Sequence, residues 1–396
     1  MTTPQSRARL LDAIDRRFGE EFGDGGQRWF FAPGRINLLG AHLDYSGGDV
    51  LPMAIDRGIY AAARLRSDGR LRFVSLDQEL RLEVAAADIG PHTVPGYGWA
   101  GYPLGVWQGF RQKTGHGAGL EIVVGGDLAM ASGLSSSAAI EVVTGIALDA
   151  LYETGLSRQE IAMIAHGAET GFVGLRCGIM DQFASALARP GHVLLLHCGG
   201  PSFEHVPFDA AACELLVLDT RKTRELSLTV FNQRVAECAM AHEVLRAHVR
   251  DLPHLAYYSA EDLTRGEPAL SDLLYRRARH VIGEMVRMRE GVAALRRHDY
   301  AGLGRQLDAS HESVRVDYAV SCDELDVITD AARSHPATFG ARLTGAGFGG
   351  CAVALVRPGE SEAVAAIVAE RFTARFGIAP GFDLLRIGTG PGEIRG

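Results

Sequence analysis

The 396-residue sequence carries a formal net charge of -8, with 47% hydrophobic and 22% charged residues, a composition typical of a globular protein. Its length favours two domains that share a cleft. The negative charge and the lack of a Lys/Arg run argue against a nucleic-acid partner, and apolar stretches such as 352–356 are far shorter than the roughly 20 residues of a membrane span.

The N-terminus places Leu10, Leu11, Ile14 and Phe18 at helical spacing with charges between them. This pattern predicts an amphipathic surface helix and not a signal peptide. The six cysteines show no CxxC spacing and are too sparse for a disulfide scaffold. We therefore expect free thiols in a reducing cytoplasm, and no metal-thiolate site.

A cluster of polar side chains lies between apolar, strand-like runs in the segment 31–55. Its members are Arg35, Asn37, His42, Asp44 and Tyr45. Polar groups in an apolar setting cost free energy unless they are paired, so the cluster is predicted to bind a polar ligand. We interpret that ligand as a sugar.

A second segment combines glycine and serine at a predicted helix start. The strand-like run 122–124 leads through Gly133 into Ser135, Ser136 and Ser137, after which apolar residues recur with helical spacing. A helix start offers free N–H groups and the positive end of the helix dipole, which favour phosphate. One serine would suffice as a helix cap, so three serines after glycines favour phosphate binding, with a magnesium ligand as a further role.

Further elements follow in chain order. Ser157 and Glu160 form a potential capping box for a helix through Gly167, and the runs 193–197 and 214–219 are predicted strands. Asp181 stands at a predicted helix start, where an acid is also favoured for purely structural reasons.

The second half is predicted to be largely helical. The arginines between residues 275 and 305 are interpreted as a solvated helix face, and Asp317 and Asp323 are placed at helix starts. The aromatic-rich segment 97–107 suits either a core or contact with a planar base.

The glycine-rich segment 340–356 superficially fits a dinucleotide site, because Gly345, Gly347 and Gly350 match GxGxxG. The apolar run that follows is a predicted strand, whereas a dinucleotide site requires a helix there. The sequence also lacks a GxxxxGK[ST] P-loop and the HRD and DFG motifs of protein kinases.

Several motifs together resemble the GHMP family of small-molecule kinases, namely PGRINLLG, GLSSSAA and LTGAGFGG. The segments 34–55, 177–183, 310–326 and 340–351 are similar to galactokinases in particular, so the resemblance covers most of the chain. It implies an α+β fold with an N-terminal ribosomal-S5-like domain, here 1–206, and a C-terminal ferredoxin-like domain, here 207–396. The active site would lie in the cleft between them, where ATP and Mg²⁺ would be used to phosphorylate the anomeric hydroxyl of a hexose.

The resemblance also implies roles for individual residues. Asp181 would be the catalytic carboxylate and Arg35 its partner. A carboxylate beside an arginine is a weak base, but phosphoryl transfer depends mainly on alignment and charge stabilisation. Asp181 would therefore orient the hydroxyl and finally accept its proton.

The remaining implied roles concern the ligands. His42, Asp44 and Gly178 would hold the sugar, together with positions 41 and 231. Gly133 and Ser135 to Ser137 would cradle phosphate, Ser136 and Glu169 would serve Mg²⁺, Trp99 would lie near the adenine, and the glycine loop would comprise Gly345, Gly347 and Gly349.

Two positions depart from the galactokinase pattern. Ala41 replaces the family's glutamate, which contacts the C6 hydroxyl, and Phe231 replaces a tyrosine that helps to read the C4 hydroxyl. Losing a hydrogen bond to a charged group costs about 1.5 to 3 kcal/mol, so galactose should bind less well. A glutamate about 4 Å from a C6 carboxylate would repel it by about 4 kcal/mol at an effective dielectric near 20, and Ala41 removes this block.

The GAH motif also resembles the galacturonokinase branch of the family. The sequence therefore favours a sugar-1-kinase for galactose or galacturonate, tilted towards the uronic acid. A galacturonate site should contain a cation, for which Arg176, Lys222 and Arg224 are candidates. The alternative is a sugar-responsive regulator that keeps the fold but lacks activity. No membrane or nucleic-acid partner is expected, and the sequence leaves the oligomeric state open.

Overall fold

The computed structural model describes residues 4–89, 96–128, 133–222 and 227–394. The helices are α1 (Pro4–Phe22), α2 (Gly101–Thr114), α3 (Ser136–Tyr152), α4 (Arg158–Gly167), α5 (Met180–Ala186), α6 (Ser227–His248), α7 (Ala260–Gly266), α8 (Asp272–Arg296), α9 (Tyr300–Val316), α10 (Asp323–Arg333) and α11 (Ser361–Phe376). The strands are β1 (Arg28–Asn37), β2 (Asp49–Val50), β3 (Pro52–Arg66), β4 (Arg70–Ser75), β5 (Leu82–Ala85), β6 (Gly119–Gly126), β7 (His192–His197), β8 (Ser202–Pro207), β9 (Glu214–Asp219), β10 (Thr338–Leu343), β11 (Cys351–Val356), β12 (Gly381–Leu385) and β13 (Gly392–Ile394).

A six-stranded sheet forms the core of the N-terminal half, with the order β13-β1-β3-β6-β4-β5. Successive side chains of a strand point to opposite faces, so Phe30 and Phe31 enter different cores. Phe31 packs with Ile14 and Phe18 of α1, whereas Phe30 belongs to the main core, which also contains Val143 of α3. The amphipathic N-terminal helix predicted from the sequence is thus confirmed, and α1 covers one face of this sheet.

The C-terminal half contains an antiparallel four-stranded sheet with the order β10-β11-β9-β12. Helices α9, α10 and α11 pack against this sheet. The strands β2, β7 and β8 form a third sheet, in the order β2-β7-β8. This mixed helix and sheet content confirms the predicted α+β class, and the four-stranded sheet is the ferredoxin-like part. The division at residues 206 and 207 stays a prediction, because β13 returns to the N-terminal sheet.

Several local predictions are confirmed. Ser157 and Glu160 form a reciprocal capping box at the start of α4, and β9 spans the predicted residues 214–219. The strand β11 follows the glycine-rich segment, so this segment lacks the helix of a dinucleotide site. All six cysteines are free thiols. No helix in the described ranges is long and apolar enough to cross a membrane.

The prediction that Asp317 starts a helix is wrong. Asp317 lies at the C-terminal end of α9, whose helical turns run through the segment 310–316. An acid is unfavourable at this end of the helix dipole, but here the Arg279 guanidinium pairs with its carboxylate. Most arginines of α8 are exposed as predicted, whereas Arg277 is buried against Glu237.

Candidate active site

A cavity of about 320 Å³ lies where the two halves of the chain meet. Its walls come from the end of β1, the loop after β1, the start of α3, the loop before α5, the first part of α6, β10 and the glycine-rich loop. The volume suits a small ligand. Most of the predicted site residues line it: Arg35, Ala41, His42, Asp44, Gly133, Ser135, Ser136, Ser137, Gly178, Asp181, Phe231 and Gly345.

An ion pair between Arg35 and Asp181 is anchored in the wall of this cavity. The Arg35 Nε and Nη2 atoms donate to Asp181 Oδ1 and Oδ2 at 2.8 and 2.7 Å. Arg35 Nη1 also donates to the Gly133 carbonyl at 2.6 Å, and the Ser135 hydroxyl donates to Asp181 Oδ2 at 2.5 Å. The Arg35 side chain is 6% exposed, whereas that of Asp181 is 28% exposed. The buried arginine therefore fixes the orientation of a carboxylate that remains accessible from the cavity.

The start of α3 is open towards the same cavity. Ser135 is the N-cap residue in a left-handed conformation, but its side chain bonds Asp181 and does not cap the helix. The backbone N–H groups of the first turn, beginning at Ser136, have no partner within the helix. The structural explanation, in which a serine caps α3, therefore does not apply, and the open helix start suits an anionic phosphate.

Glu169 lies behind this helix start. Its carboxylate accepts hydrogen bonds from Gln182 and from the Cys177 thiol, the latter at 3.3 Å. Burial, and next the Asp181 carboxylate, raise the pKa of Glu169. Burial and the Glu169 charge likewise raise the pKa of Glu141, whose carboxylate accepts from Gln182 at 2.8 Å.

Glu169 and the serines at the start of α3 are the candidate ligands for a magnesium ion. Among the described residues, no group of three or more His, Cys, Asp or Glu is arranged to hold a metal. Magnesium in kinases is usually held by one or two protein carboxylates together with phosphate oxygens and water. Glu169, which is hydrogen-bonded to Ser137, the residue after Ser136, fits this smaller set.

The loop after β1 presents the predicted sugar-binding residues. His42 adopts a positive φ of 59°, and its Nδ1 atom bonds the Tyr45 hydroxyl at 2.8 Å. Its Nε2 atom is buried and has no hydrogen-bond partner among the described residues. Burial lowers the pKa of His42 to about 3, so the ring is neutral near pH 7. An unpartnered buried nitrogen in the wall indicates a place for a ligand hydroxyl.

Asp44 and Gly178 are in close contact in this wall. A Cβ atom at Gly178 would lie 2.2 Å from Asp44 Oδ2, so only glycine fits there. Burial, and next the Asp181 carboxylate, raise the pKa of Asp44 to about 7. A ligand that donates hydrogen bonds to Asp44 would favour its ionised form.

Phe231 closes the cavity on the side of α6. Its ring centroid lies 5.8 Å from that of His42 and 5.4 Å from that of Tyr45. The ring thus packs against the two side chains that bond each other, and it offers no hydroxyl to a ligand.

Other predicted residues lie outside this wall. Trp99 does not line the cavity, and its indole N–H donates to the Leu80 carbonyl at 3.0 Å. Gly347 and Gly349 shape the glycine-rich loop and do not line the cavity. A Cβ atom at Gly347, where φ is +84°, would lie 2.1 Å from the Val320 carbonyl oxygen.

The three candidate cations occupy different positions. Arg176 is exposed and lines the cavity. Lys222 is 40% exposed, and its ammonium group pairs with Glu324 at 2.8 Å. Arg224 lies outside the described residues.

Sequence reasoning missed a group of buried polar residues beneath the sugar-binding loop. Glu284 Oε1 accepts from the backbone N–H groups of Gly40 and Ala41 at 3.1 and 3.0 Å, and His280 Nε2 bonds the Ala41 carbonyl at 2.9 Å. Although burial acts in the opposite direction, the neighbouring Arg287, His280 and Arg342 lower the pKa of Glu284 to about 2.

Comparisons with known proteins define the class. The description "GHMP kinases N terminal domain" matches residues 101–189, and "GHMP kinases C terminal" matches 292–374. Mevalonate kinase from Methanococcus jannaschii, 18% identical, has a TM-score of 0.66 with coverage of 92% of this chain and 99% of its own, which shows a shared fold. The chain has the GHMP kinase fold, with the ribosomal-S5-like and ferredoxin-like halves expected from the sequence.

The narrower family follows from further matches. The "Galactokinase galactose-binding signature" covers residues 16–65. Galactokinase from Exiguobacterium sibiricum is 36% identical, with coverage of 96% of this chain and 97% of the relative, and that from Clostridium tetani is 33% identical over 97% and 98%. The crystal structure of Lactococcus lactis galactokinase complexed with galactose has a TM-score of 0.93 at 32% identity, covering 97% of this chain and all of that one. The chain belongs to the galactokinase family.

Proposed function

We propose that this protein is an ATP- and Mg²⁺-dependent sugar-1-kinase that phosphorylates the anomeric hydroxyl of galactose or galacturonate, with a preference for galacturonate. The observation that carries the proposal is the Arg35–Asp181 pair, which lies in one cavity with the uncapped start of α3. The galactokinase relatives support a galactose-like substrate, and membership of the GHMP kinase family supports the use of ATP. Six free thiols agree with a cytoplasmic location.

The residues divide the chemistry between them. Asp181 would orient the sugar hydroxyl towards the terminal phosphate of ATP and take up the hydroxyl proton as the new O–P bond forms. Arg35 and the N–H groups of α3 would stabilise negative charge on the transferring group while ADP departs. Magnesium, with Glu169 and Ser136 nearby, would supply neutralisation of the phosphate charge.

The preference for galacturonate depends on Ala41. This residue lines the cavity at the position where galactokinases carry a glutamate, so an acidic sugar would meet no carboxylate at that place. Phe231 presents no hydroxyl to a sugar C4 group. Because galactose and galacturonate share this hydroxyl, Phe231 affects both sugars alike.

The test is ADP release measured with galactose, galacturonate and no sugar, with the product identified by phosphorus NMR. We expect sugar-dependent release and a 1-phosphate product, faster with galacturonate. Faster turnover of galactose would overturn the preference, and no sugar-dependent release would overturn the enzyme assignment. In that case the alternative, a sugar-binding regulator, would require sugar binding without turnover; the intact ion pair and open helix start favour the enzyme.

A further inference from the structure

The sugar cavity contains a buried cation that no candidate from the sequence included. Arg342 lies on β10, is 1% exposed and lines the cavity. Its Nε atom donates to the Leu343 carbonyl at 2.9 Å, and Nη1 donates to the Leu38 carbonyl at 3.0 Å. Within the described ranges no carboxylate is hydrogen-bonded to this guanidinium, so its charge is held by neutral carbonyl groups.

Glu284, whose charge acts on Arg342, already accepts hydrogen bonds from other groups. Glu284 Oε1 accepts from two backbone N–H groups and from the Ser310 hydroxyl at 2.7 Å, and Oε2 accepts from Arg287 Nε at 2.6 Å. The charges of Arg287 and Arg342 both act on the Glu284 carboxylate, and Arg287 is the one hydrogen-bonded to it among the described residues. Among the residues that the structure describes, Arg342 is therefore left without a hydrogen-bonded carboxylate.

Burial lowers the pKa of Arg342 to about 10, while Glu284 raises it and Arg287 lowers it. The guanidinium thus remains charged near pH 7. A buried charge without an ionic partner is costly, which makes an anionic ligand favourable.

Two further polar atoms in the same wall have no hydrogen-bond partner among the described residues. They are His42 Nε2 and the amide oxygen of Asn37, which can accept from a sugar hydroxyl. The neutral imidazole of His42 has two tautomers. In the one whose Nδ1 accepts from the Tyr45 hydroxyl, Nε2 carries the proton and can donate it to a ligand oxygen. A cation and a neutral donor together suit a carboxylate.

We propose that Arg342 is the specificity-determining residue that binds the C6 carboxylate of galacturonate, through the space that Ala41 leaves. The inference rests on the proposed function. In a galactokinase-type GEH motif, the glutamate at position 41 would compete for this guanidinium. In this chain the charge of Arg342 is available to the substrate.

The first test compares Arg342→Gln with Arg342→Lys, measuring kcat/KM for galacturonate and galactose. Because a lost charged hydrogen bond costs about 1.5 to 3 kcal/mol, the ratio of the two values should fall about 10- to 150-fold in the glutamine variant, and lysine should restore part of it. Arg176→Gln is the matched control, since it removes another arginine of the cavity wall that lies outside the Arg35–Asp181 pair. A ratio unchanged in Arg342→Gln, or a comparable fall in Arg176→Gln, would overturn the inference.

A second pair of variants covers the case in which Arg342→Gln fails to fold. Glutamate and glutamine have nearly the same shape, so Ala41→Glu and Ala41→Gln differ mainly in charge. If Arg342 carries an uncompensated charge, Ala41→Glu should melt at a higher temperature than Ala41→Gln and should bind galacturonate at least about tenfold more weakly. The opposite order of melting temperatures would show that position 41 is not paired with Arg342.

Failure of the proposed function can be told apart from failure of this inference. If the wild type does not phosphorylate galacturonate, the proposed preference for galacturonate is wrong, but the role of Arg342 in binding a carboxylate is still open to test. Galacturonate inhibition of galactose phosphorylation then tests Arg342: a weaker inhibition constant in Arg342→Gln supports the charge contact, and an equal constant overturns it.

Discussion

The buried Arg35 side chain holds the Asp181 carboxylate in a fixed orientation. Each of the three guanidinium nitrogens of Arg35 donates a hydrogen bond, two of them to Asp181 and one to the Gly133 carbonyl, while the Asp181 side chain stays 28% exposed. Such a pair favours alignment over basicity, as phosphoryl transfer requires.

Asp181→Asn should lower kcat by about a thousandfold, because the amide cannot accept the hydroxyl proton. The sugar dissociation constant, measured by calorimetry, should change by less than about fivefold, since the side-chain shape is kept. Ser135→Ala serves as the control: it removes one hydrogen bond to Asp181 but keeps the ion pair, and it should cost about tenfold. Retained turnover in Asp181→Asn would exclude its role as the proton acceptor.

Asp44 predicts a pH dependence of stability. Its pKa is raised from 3.8 to about 7 in the folded chain, so the folded state holds a proton that the unfolded state has lost between these pH values. The free energy of unfolding contributed by this group is therefore fully present below pH 4 and is lost as the pH rises to about 7. Asp44→Asn should be more stable than the wild type by about 1 to 3 kcal/mol at pH 8 and similar at pH 4.

This difference is measured by urea denaturation without sugar at both pH values. A variant destabilised at pH 8, or an equal difference at both values, would contradict the raised pKa of Asp44. The control is Asp88→Asn, an acid on a surface turn far along the chain from the site.

Individual residues were predictable where the local pattern carried the information. The serine-rich helix start lines the cavity, and so do four of the five residues of the predicted polar cluster, namely Arg35, Asn37, His42 and Asp44. Arg342 was not predictable, because it lies in the apolar run of a strand and its place in the cavity depends on distant backbone carbonyls. The sequence signal at Arg342 is its place in the segment 340–351 that resembles galactokinases, and this signal does not show which group the guanidinium would contact.

Helix α8 supports the sugar-binding loop from beneath. Glu284 and His280 lie one helical turn apart on α8, and together they bond the backbone at Gly40 and Ala41. The series of arginines in α8 predicted a solvated helix face. It gave no sign that the buried face of the helix carries charged groups.

Glu284→Gln should destabilise the protein by about 3 to 5 kcal/mol, because it leaves Arg287 without its buried partner and places an amide among hydrogen-bond donors. Urea denaturation measures this loss, and the sugar KM should rise because the loop is less well held. Glu290→Gln, an exposed acid on the same helix, is the matched control. If both variants lose similar stability, α8 does not hold the loop through Glu284.

Across the chain, the fold joins distant segments in one site and one sheet. The cavity combines Arg35 near the N-terminus with Arg342 near the C-terminus, and β13 pairs with β1 in the register Trp29↔Ile394. Arg28 adds an ion pair to Glu393 at 2.7 Å. Local patterns and the family resemblance predicted the α+β class, whereas this return of the last strand depends on contacts that no local pattern encodes.

Truncation after Pro391 should lower the melting temperature and promote aggregation. It removes β13 and exposes the backbone of β1 as an unpaired sheet edge. The loss of a few backbone hydrogen bonds predicts about 2 to 4 kcal/mol of destabilisation. A chain truncated after Ile394 is the control, and equal stability of the two truncated chains would show that β13 contributes little.

The most direct measurement is a competition between two sugars. The protein is incubated with ATP, Mg²⁺ and equal concentrations of galactose and galacturonate, and the two sugar 1-phosphates are quantified by mass spectrometry at low conversion. Their ratio equals the ratio of the kcat/KM values. We expect galacturonate 1-phosphate to predominate, whereas an excess of galactose 1-phosphate, or neither product, would contradict the proposed site.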